Sequence, residues 1–408
     1  MDATGIICEY DPFHNGHRAQ LEKARERFGG SPVICVMSGN FVQRGSFAVF
    51  DKYARASCAV SSGADLVLEL IFPFSSAGAQ RFALSGISVL SRLGCVKNLV
   101  FGSESGDAER ISDIAGILSS AEFEKELAHI IKSDPRVPYA KARALCASRF
   151  GIEEDEISSP NNILAAEYLR ASSSLGFHPN IFTHKRTDAE NVKSASRIRE
   201  LIYSGDPWET FVPENARAEK EASPVFPDAL GSAVIYHLCS SDTENIAACS
   251  ACRGLAFTLK KAAKDSLTLS ELYEKASSGA YTNARIRRAA LFSFLGIKES
   301  EFALDAGYAR AKDKSEKPLG TLPAYTCVLA FSERGRRLIR EISRVSSIPV
   351  FTKPAMASRS CDPEIKRQYE VCERAEKAYS LAAGKRSWIK RPNGAGTDIN
   401  SQKNPEEI

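Results

Sequence analysis

Short apolar runs alternate with longer amphipathic stretches along the first half of the chain. The runs are rich in β-branched residues and bounded by turn residues, which is typical of buried strands. They cover residues 5–8, 33–37, 66–70 and 98–101. The longer stretches carry apolar residues at helical spacing and cover residues 17–28, 51–62 and 78–93. This alternation predicts βαβ units, and therefore the α/β class with a Rossmann-like, doubly wound parallel sheet.

The pattern becomes mainly helical after about Pro207. An apolar run at residues 180–183 predicts one more strand before that point, and a helix from Ser196 to about Ser204 follows it. Beyond Pro207, a strand-like run at residues 325–331 interrupts helical segments at residues 229–240, 251–266, 269–278, 282–294 and 333–343. Residues 384–408 are rich in Gly, Asn, Lys and Pro, which is typical of a disordered tail. We therefore expect an α/β domain over residues 1–206, a mainly α-helical domain over 207–383 and a tail over 384–408.

The composition is that of an ordinary globular protein. The 408 residues include 54 basic and 50 acidic side chains, and a net charge of +4 does not by itself indicate nucleic acid. Eleven cysteines are scattered, several of them inside apolar runs, which is typical of reduced core residues. The N-terminus lacks the basic segment of a secretory signal, and no apolar stretch is long enough to span a bilayer. We expect a cytoplasmic protein without membrane contact.

The most informative segment is GIICEYDPFHNGH, residues 5–17, in which a predicted strand runs through a turn into a helix. Ligands of an open parallel sheet bind beyond the carboxyl ends of its strands, where a helix N-terminus offers N–H groups to phosphate. Gly16 permits close approach of an anion to the backbone. His14 and His17 flank that point, and as donors they could stabilise a pentavalent α-phosphorus. The pattern predicts a nucleotide phosphate site with two catalytic histidines.

Two other interpretations of this motif are a helix cap with incidental histidines and a zinc site. Composition alone places an H-x-G-H motif in roughly 0.6% of such chains, which disfavours the first. No H-E-x-x-H motif or Cys/His cluster accompanies the pair, which disfavours a metal held by the protein. The chain also lacks the phosphate-binding motifs G-x-x-x-x-G-K-[ST] and G-x-G-x-x-G.

A second basic cluster follows the strand predicted at residues 180–183. It comprises His184, Lys185 and Arg186, and then the segment SASRIR at residues 194–199. Ser196 is placed to cap a helix whose first turn carries Arg197 and Arg199, and these groups together could hold a polyphosphate. A capped basic surface helix is the alternative interpretation.

These motifs together resemble a known family. H-x-G-H after the first strand, with a late S-x-S-x-I-R, is similar to the nucleotidyltransferase superfamily, and the chain more closely resembles the bacterial tRNA(Met) cytidine acetate ligases. The matching stretches run in order over about the first 380 residues: EYDPFHNGH, MSGNFVQRG, DKYARA, SGADLVLELIFPFSSAGAQRFA, VFGSESGD, PYAKAR, SPNNILAAEYL, TNARIRRAALFSFLGI and CERAEKAYSL.

The resemblance implies an HxGH nucleotidyltransferase-like fold and a two-step reaction. ATP, with Mg²⁺, and acetate would give acetyl-adenylate and pyrophosphate. The acetyl group would then pass to N4 of the wobble cytidine of elongator methionine tRNA, giving N4-acetylcytidine and AMP. Residues 1–206 would form the ATP-binding catalytic domain and residues 207–383 the tRNA-binding domain. No obligate protein partner is implied.

The resemblance also implies which residues contact ATP. They are Ile7, Cys8, Glu9, Tyr10, Asp11, Pro12, Phe13, His14, Asn15, Gly16, His17, Arg18, Ala19, Gln20, Gly102, Asn162 and Arg186. To these we add Lys185 and Ser196 from the second basic cluster.

The chain departs from the family pattern at three places. Asp11 stands where the family usually has Asn, and an extra carboxylate near phosphates is unfavourable unless it faces a cation or solvent. The segment QRGSF at residues 43–47 replaces QRGEP, and TDAENVK follows Arg186 in place of IGAGYHD. These differences concern the nucleotide contacts rather than the reaction class.

The predicted mechanism depends mainly on alignment and charge. The carboxylate of acetate needs no general base, so the enzyme has to place it in line with the α-phosphate and neutralise charge. We expect His14, His17, Arg199 and Mg²⁺ to do so. The cytidine amine is a weak nucleophile, because its lone pair is delocalised into the ring, so it needs both positioning and an activated acyl group.

The loop that follows the second predicted strand is a candidate for substrate contacts. Gly39 and Asn40 could offer amides to acetate or to the base, and Arg44 could contact phosphate; a structural turn is the alternative. Asp51 is a plausible N-cap for the next helix, on which Lys52 faces either the site or solvent.

Two later segments also carry polar residues at predicted turns. Gly102 would permit close approach of the nucleotide, and Glu104 is either a ligand of metal or ribose or simply polar. Asn161 is expected to cap the helix that Pro160 opens.

Clusters of arginines in the C-terminal part are candidates for contacts with tRNA. Arg285 and Arg288 share a helix face, which fits binding to a phosphate backbone. A second stripe comprises Arg334, Arg336, Arg337, Arg340 and Arg344, and the tail adds Lys385, Arg386, Lys390 and Arg391. A solvated basic face is the alternative.

Two other functions remain open from the sequence. The first is a small-molecule adenylyl- or cytidylyltransferase, which would not need nearly 200 further helical residues with basic stripes. The second is an RNA-binding scaffold with a decayed ATP site, which the intact His14, Gly16 and His17 disfavour.

Overall fold

The computed structural model describes residues 2–134, 137, 139–185, 193–250, 252–277, 280–302, 321–384 and 397–398. Its strands are Ala3–Cys8 (β1), Val33–Ser38 (β2), Phe41–Val42 (β3), Ser46–Phe47 (β4), Leu66–Leu70 (β5), Val96–Ser103 (β6), Asn180–Lys185 (β7), Thr326–Phe331 (β8), Val350–Phe351 (β9) and Thr397–Asp398 (β10). β3 and β4 form a separate hairpin, and the others join one sheet.

The centre of this sheet is parallel, in the order β5-β2-β1-β6-β7. The order reverses at β1, so the carboxyl ends of β1 and β6 open a crevice where such sheets bind ligands. Every residue of β2 and β5 is buried, as expected of strands covered by helices on both faces. The structure confirms the predicted Rossmann-like α/β class.

The helices of the first half cover both faces of this sheet. They are Asn15–Arg27 (α1), Lys52–Ser61 (α2), Ala79–Arg92 (α3), Ala108–Ser119 (α4), Ala121–Ser133 (α5), Tyr139–Arg149 (α6), Glu154–Ser158 (α7), Pro160–Ser174 (α8) and Ala195–Ser204 (α9), with a 3₁₀ turn at Phe74–Ser76. Asp51 caps α2 as predicted, since its side chain accepts from the N–H of Tyr53.

Two other predicted helix caps are wrong. α9 is capped by Ser194, whose side chain accepts from the N–H of Arg197, so Ser196 lies inside the helix. The N-cap of α8 is Ser159, and Asn161 lies in the first turn instead. The SASRIR segment offers two serines near the helix start and the SPNN segment offers three polar residues, so composition alone did not decide which one caps.

The second half is mainly helical. Its helices are Arg217–Lys220 (α10), Gly231–Ser240 (α11), Thr243–Ser250 (α12), Arg253–Lys264 (α13), Leu269–Ala276 (α14), Asn283–Leu295 (α15), Glu299–Phe302 (α16), Glu333–Val345 (α17), Ala355–Ser358 (α18) and Pro363–Ala382 (α19), with a 3₁₀ turn at Glu209–Phe211. α11 to α15 enclose their own apolar core, which includes Leu238, Leu259 and Ile286. No helix of the described ranges is long and apolar enough to cross a membrane.

We expected the sheet to lie within residues 1–206, but it extends beyond them. β8 pairs antiparallel with β5, and α17 then packs against both strands. Most of the expected tail lies outside the described residues, but β10 within it pairs with β8. The C-terminal part therefore completes the sheet and is not a separate appendage.

Candidate active site

A cavity of about 1050 Å³ opens at the carboxyl ends of β1 and β6. Of the predicted nucleotide and catalytic residues, its wall includes Ile7, Cys8, Glu9, Tyr10, Asp11, His17, Gln20, Gly102, Ser196 and Arg199. Pro12, Phe13, His14, Asn15, Gly16, Arg18, Ala19, Asn162 and Lys185 lie outside that wall, and Arg186 lies outside the described residues. The sequence therefore located the cavity correctly but not every side chain that faces it.

The two histidines of the H-x-G-H motif are held by backbone N–H groups at the start of α1. His14 is the N-cap, and its Nδ1 accepts from the N–H of Gly16 at 3.1 Å. The Nδ1 of His17 accepts from the N–H of His14 at 3.3 Å, and the two rings stack with centroids 3.7 Å apart. His17 lines the cavity, whereas His14 is only 2% exposed behind it.

These contacts fix the tautomer of both rings. A ring nitrogen that accepts a hydrogen bond carries no proton, so each neutral imidazole carries its proton on Nε2. Nε2–H of His17 is thus a donor on the side of the ring away from its own helix backbone. The helix N-terminus beside it adds its positive dipole end, so this corner of the cavity suits a phosphate oxygen.

A buried carboxyl that the sequence did not indicate supports the turn before His14. Glu219 of α10 is 0% exposed, and its Oε1 accepts from the N–H of Phe13 at 2.9 Å. Its Oε2 makes no hydrogen bond to any described residue. Burial raises the pKa of Glu219 to about 8, against the opposing effect of the Phe13 N–H. Glu219 is therefore a neutral acid at pH 7 that anchors the loop.

We expect Glu219→Gln to remove a pH dependence of stability. The unfolded chain ionises Glu219 near pH 4.5, whereas the folded chain keeps it protonated up to about pH 8. The folded state holds the extra proton between these values, so the free energy of unfolding of the wild type falls as pH rises through them. Relative to wild type, the variant should gain about 2 kcal/mol between pH 6 and pH 8, as measured by urea unfolding.

Glu221→Gln is the matched control, because Glu221 is an exposed neighbour on the same short segment. Its difference from wild type should stay constant with pH. If Glu219→Gln behaved in the same way, the buried carboxyl would be ionised in the folded protein.

Arg199 and Asp11 form a pair at the cavity wall. Arg199 Nη1 donates to the backbone carbonyl of Asp11 and lies 3.4 Å from its Oδ2, and Nη2 donates to Ser196 Oγ at 3.1 Å. Asp11 is 4% exposed, and its Oδ1 accepts from the N–H of Val49 at 2.7 Å. The carboxylate that departs from the family pattern is thus neutralised by a cation of the chain itself.

The other described cations of the second basic cluster do not line the cavity. Arg197 pairs with Glu200 on the surface of α9, and its side chain is 59% exposed. It therefore does not contribute to the polyphosphate site that we expected. Lys185 is exposed at the end of β7, and Ser196 supports Arg199 rather than capping the helix. Within the described part of this cluster, Ser194, Ser196 and Arg199 line the cavity, and Arg199 alone brings a positive charge to it.

Glu9 and the loop after β2 are linked at the floor of the cavity. Glu9 Oε1 accepts from the N–H of Gln43 at 2.6 Å. Burial raises the pKa of Glu9, partly offset by this hydrogen bond. The fully buried guanidinium of Arg55 donates to backbone carbonyls at the ends of β1 and β2, including that of Glu9. Beyond the DKYARA match, no sequence pattern indicated this role for Arg55.

The loop after β6 is fastened to the start of α8. Glu104 accepts from the backbone N–H groups of Asn161 and Asn162, at 3.3 and 2.9 Å, and from the side-chain amide of Asn161 at 2.7 Å. Asn162 Oδ1 in turn accepts from the N–H of Glu104 at 3.0 Å. Glu104 thus caps the start of α8. Asn162 positions the loop of Gly102 from behind.

Gly39, Asn40 and Lys52 do not face the cavity, contrary to our expectation. Lys52 is 4% exposed, and its Nζ lies 2.6 Å from Glu69 and 2.9 Å from Glu376 of α19. Asn40 donates to the same Glu376 at 3.2 Å, and a side chain at Gly39 would collide with Glu69. The loop is a structural turn, as the alternative interpretation proposed, and this buried cluster fastens α19 to the sheet.

Of the remaining predicted substrate residues, only Arg44 lines the cavity. Arg285 stacks over the ring of Tyr281 at 5.5 Å. Arg288 is 6% exposed, and its Nη1 lies 3.4 Å from the carbonyl of Gln43, so it supports the hairpin loop instead of an RNA surface. The sequence missed their neighbour Arg287, which does line the cavity.

The second basic stripe lies at the opposite edge of the sheet. α17 begins where the N–H of Ser332 donates to the carbonyl of Asp65, and just beyond its end the N–H of Ser347 donates to Arg92. Asp65 and Arg92 precede the parallel strands β5 and β6, whereas the cavity follows the ends of β1 and β6. The arginines of α17 are therefore far from the reacting groups.

The described residues include no group of three His, Cys, Asp or Glu side chains that could hold an ion. The two carboxylates of the cavity floor, Glu9 and Asp11, already accept hydrogen bonds from Gln43 and Val49.

Comparison with known proteins agrees with this architecture. The profile of the family described as HIGH Nucleotidyl Transferase matches residues 1–391. The chain is 31% identical over 384 residues to the tRNA(Met) cytidine acetate ligase of Syntrophomonas wolfei, covering 89% of each protein. It is 32% identical over 402 residues to the tRNA(Met) cytidine acetate ligase of Caldanaerobacter subterraneus, covering 94% of this chain and 96% of the relative.

The fold is similar to that of a protein solved with a nucleotide. The crystal structure of Thermotoga maritima TmcAL bound with alpha-thio ATP matches with a TM-score of 0.82 at 28% identity, over 93% of this chain and 94% of that one. The apo form of the same protein matches with a TM-score of 0.81 over 94% of this chain and 95% of that one.

Proposed function

This chain belongs to the HIGH nucleotidyl transferase family and to its tRNA(Met) cytidine acetate ligases, and on that premise we propose that it uses ATP and acetate to acetylate the wobble cytidine of elongator methionine tRNA. The ATP-dependent acetylation of a tRNA cytidine is the function of the family. The proposal adds the adenylate route, the acetyl donor and the choice of tRNA. A tRNA substrate also supports a cytoplasmic location.

The first step joins acetate to the α-phosphorus of ATP. A carboxylate oxygen of acetate forms the new P–O bond while the bond to the β-phosphate bridging oxygen breaks, and pyrophosphate leaves with that electron pair. Charge grows on the phosphoryl oxygens, and the donors at the cavity wall that can stabilise it are Nε2–H of His17 and the guanidinium of Arg199. Mg²⁺ bound to the triphosphate would neutralise part of its charge.

The second step transfers the acetyl group to the nucleobase. The N4 lone pair of cytidine attacks the acetyl carbonyl carbon, the bond to the AMP oxygen breaks, and N4 loses a proton. AMP is a good leaving group, which compensates for the weakly nucleophilic amine. This step needs space for a nucleobase beside the adenylate, and a cavity of about 1050 Å³ that continues toward α14 and α15 supplies it.

One observation carries the proposal. His17, whose Nδ1 accepts a backbone hydrogen bond, faces a cavity that is lined both by the sheet and by the C-terminal helices. A small-molecule nucleotidyltransferase would not need those helices in the wall. We propose that the helical part binds tRNA beside the cavity, with Arg44 as one contact. The stripe on α17 would reach only distant parts of the same tRNA.

The proposed function is tested by incubating the purified protein with ATP, labelled acetate and tRNA from cells that lack the modification. We expect N4-acetylcytidine, detected by mass spectrometry after digestion, and only when ATP is present. Product formed from acetyl-CoA without ATP would contradict the proposal, as would acetate-independent transfer of the nucleotide to a phosphorylated metabolite.

A further inference from the structure

The cavity has a second half that the nucleotide site does not use. It is built from the segment before α11, from α14 and from α15, and its apolar wall comprises Phe226, Leu269, Tyr273, Leu291 and Phe294. Three aromatic rings and two leucines make a wall suited to a flat, weakly polar group. A nucleobase fits this description, whereas a triphosphate does not.

One cation stands in this apolar wall. Arg287 of α15 lies over the ring of Tyr273, with its guanidinium carbon 5.4 Å from the ring centroid. Its Nε is shielded from solvent and makes no hydrogen bond within the described part of the chain. Across the same residues, no carboxylate pairs with it, although Asp228 also lines the cavity and accepts instead from the N–H of Leu269 at 2.7 Å.

The lack of a hydrogen-bond partner for its Nε distinguishes Arg287 from Arg199, which also lines the cavity. Arg199 is neutralised by Asp11, and Ser196 accepts from it. A buried N–H of a guanidinium without an acceptor loses hydration and gains nothing in return, which is costly. Arg287 is therefore suited to bind a ligand that carries hydrogen-bond acceptors.

We propose that Arg287 and Tyr273 form the binding site of the acceptor cytosine, and that Arg287 selects this base over uracil. The inference rests on the proposed function and deepens it. Cytosine presents two adjacent acceptors, O2 and N3, and a guanidinium presents parallel donors at matching spacing. Uracil carries a hydrogen on N3, so the same fork would meet a donor.

Binding of cytosine at this site also explains how N4 becomes available for the reaction. O2, N3 and N4 lie along one edge of the base, and Arg287 occupies only the first two. The aromatic wall holds the ring as aromatic side chains hold unstacked bases in RNA recognition. N4 is then left beside the guanidinium, where the acetyl group of the adenylate can approach it.

The test uses the full-length protein and two methionine tRNA transcripts that differ only at the wobble position, cytidine in one and uridine in the other. We expect wild type to bind the cytidine transcript about tenfold to a hundredfold more tightly, the range of a good bidentate contact to a base. Arg287→Lys keeps the charge but loses the fork, so the preference should fall to about twofold, measured by competition binding.

Arg285→Lys is the matched control. Arg285 lies on α15 like Arg287 and also stacks on a tyrosine ring, that of Tyr281. Arg285 does not line the cavity. Its substitution should change the affinities for the two transcripts equally and leave their ratio at the wild-type value. If Arg287→Lys did not fold, Arg287→Gln would replace it, and the same fall in the preference for the cytidine transcript is expected because glutamine lacks the two parallel donors of the guanidinium.

Several outcomes would overturn this assignment. An unchanged ratio in Arg287→Lys would do so, as would a higher KM for acetate with the ratio intact, which would make Arg287 an acetate site. An equal loss for both transcripts would make it a phosphate contact. Failure of the wild type to acetylate the cytidine transcript would instead count against the proposed function itself.

Discussion

Replacing His17 with asparagine should slow acetyl-adenylate formation by about 10³-fold and leave the protein folded. The Oδ1 of asparagine takes the place of Nδ1 and can still accept from the N–H of His14, so the capping arrangement at the start of α1 survives. What is lost is the Nε2–H donor at the cavity wall. Acetate-dependent exchange of labelled pyrophosphate into ATP measures this step, and tRNA binding should be nearly intact.

Two further variants separate the donor from the fold. His17→Gln places an amide N–H near the position of Nε2, so it should recover part of the lost rate. His129→Asn is the control, because His129 is exposed on α5 and far along the chain from the site. A His17→Asn protein that exchanged pyrophosphate at the wild-type rate would remove His17 from the mechanism, and one that unfolded would make its role structural.

Replacing Arg199 with methionine should slow the same exchange by about 10²- to 10³-fold. Its guanidinium is the cation of α9 that lines the cavity, and Ser196 and Asp11 hold it there. Methionine preserves most of the aliphatic packing and removes the charge, so the effect reports charge neutralisation. The exchange assay at saturating ATP separates a loss in rate from a loss in nucleotide affinity.

The matched control for this charge is Arg197→Met, two residues away on the same helix. Arg197 pairs with Glu200 in solvent, so the exchange rate should stay within about twofold of wild type. Equal effects of the two substitutions would mean that α9 contributes only a general positive field.

Asp11→Asn tests the departure from the family pattern. Asparagine keeps an acceptor for the N–H of Val49 and removes the charge that faces Arg199. The guanidinium should then attract phosphate more strongly, and we expect the KM for ATP to fall about threefold. An increase in KM would show that the carboxylate is needed to position Arg199.

Local patterns were sufficient for the elements that carry the site. The spacing of apolar residues predicted β1, β2, β5 and α1 to within a few residues, because periodicity is a property of neighbouring positions. The H-x-G-H motif located the corner of the cavity at the start of α1 for a similar reason: His14, Gly16 and His17 make their hydrogen bonds to each other. These parts of the fold and of the site were therefore predictable from the sequence by itself.

The tertiary structure alone decided which charged residues face the cavity. Lys52 meets Glu376 from α19, Arg288 is buried under the loop of Gly45, and Glu219 supports the turn at Phe13; in each case the partner is distant in the chain. The antiparallel entry of β8 also carries α17 to the far edge of the sheet. A charge in the sequence looks the same whether its counter-charge, solvent or a ligand surrounds it, and only packing determines which of these it meets.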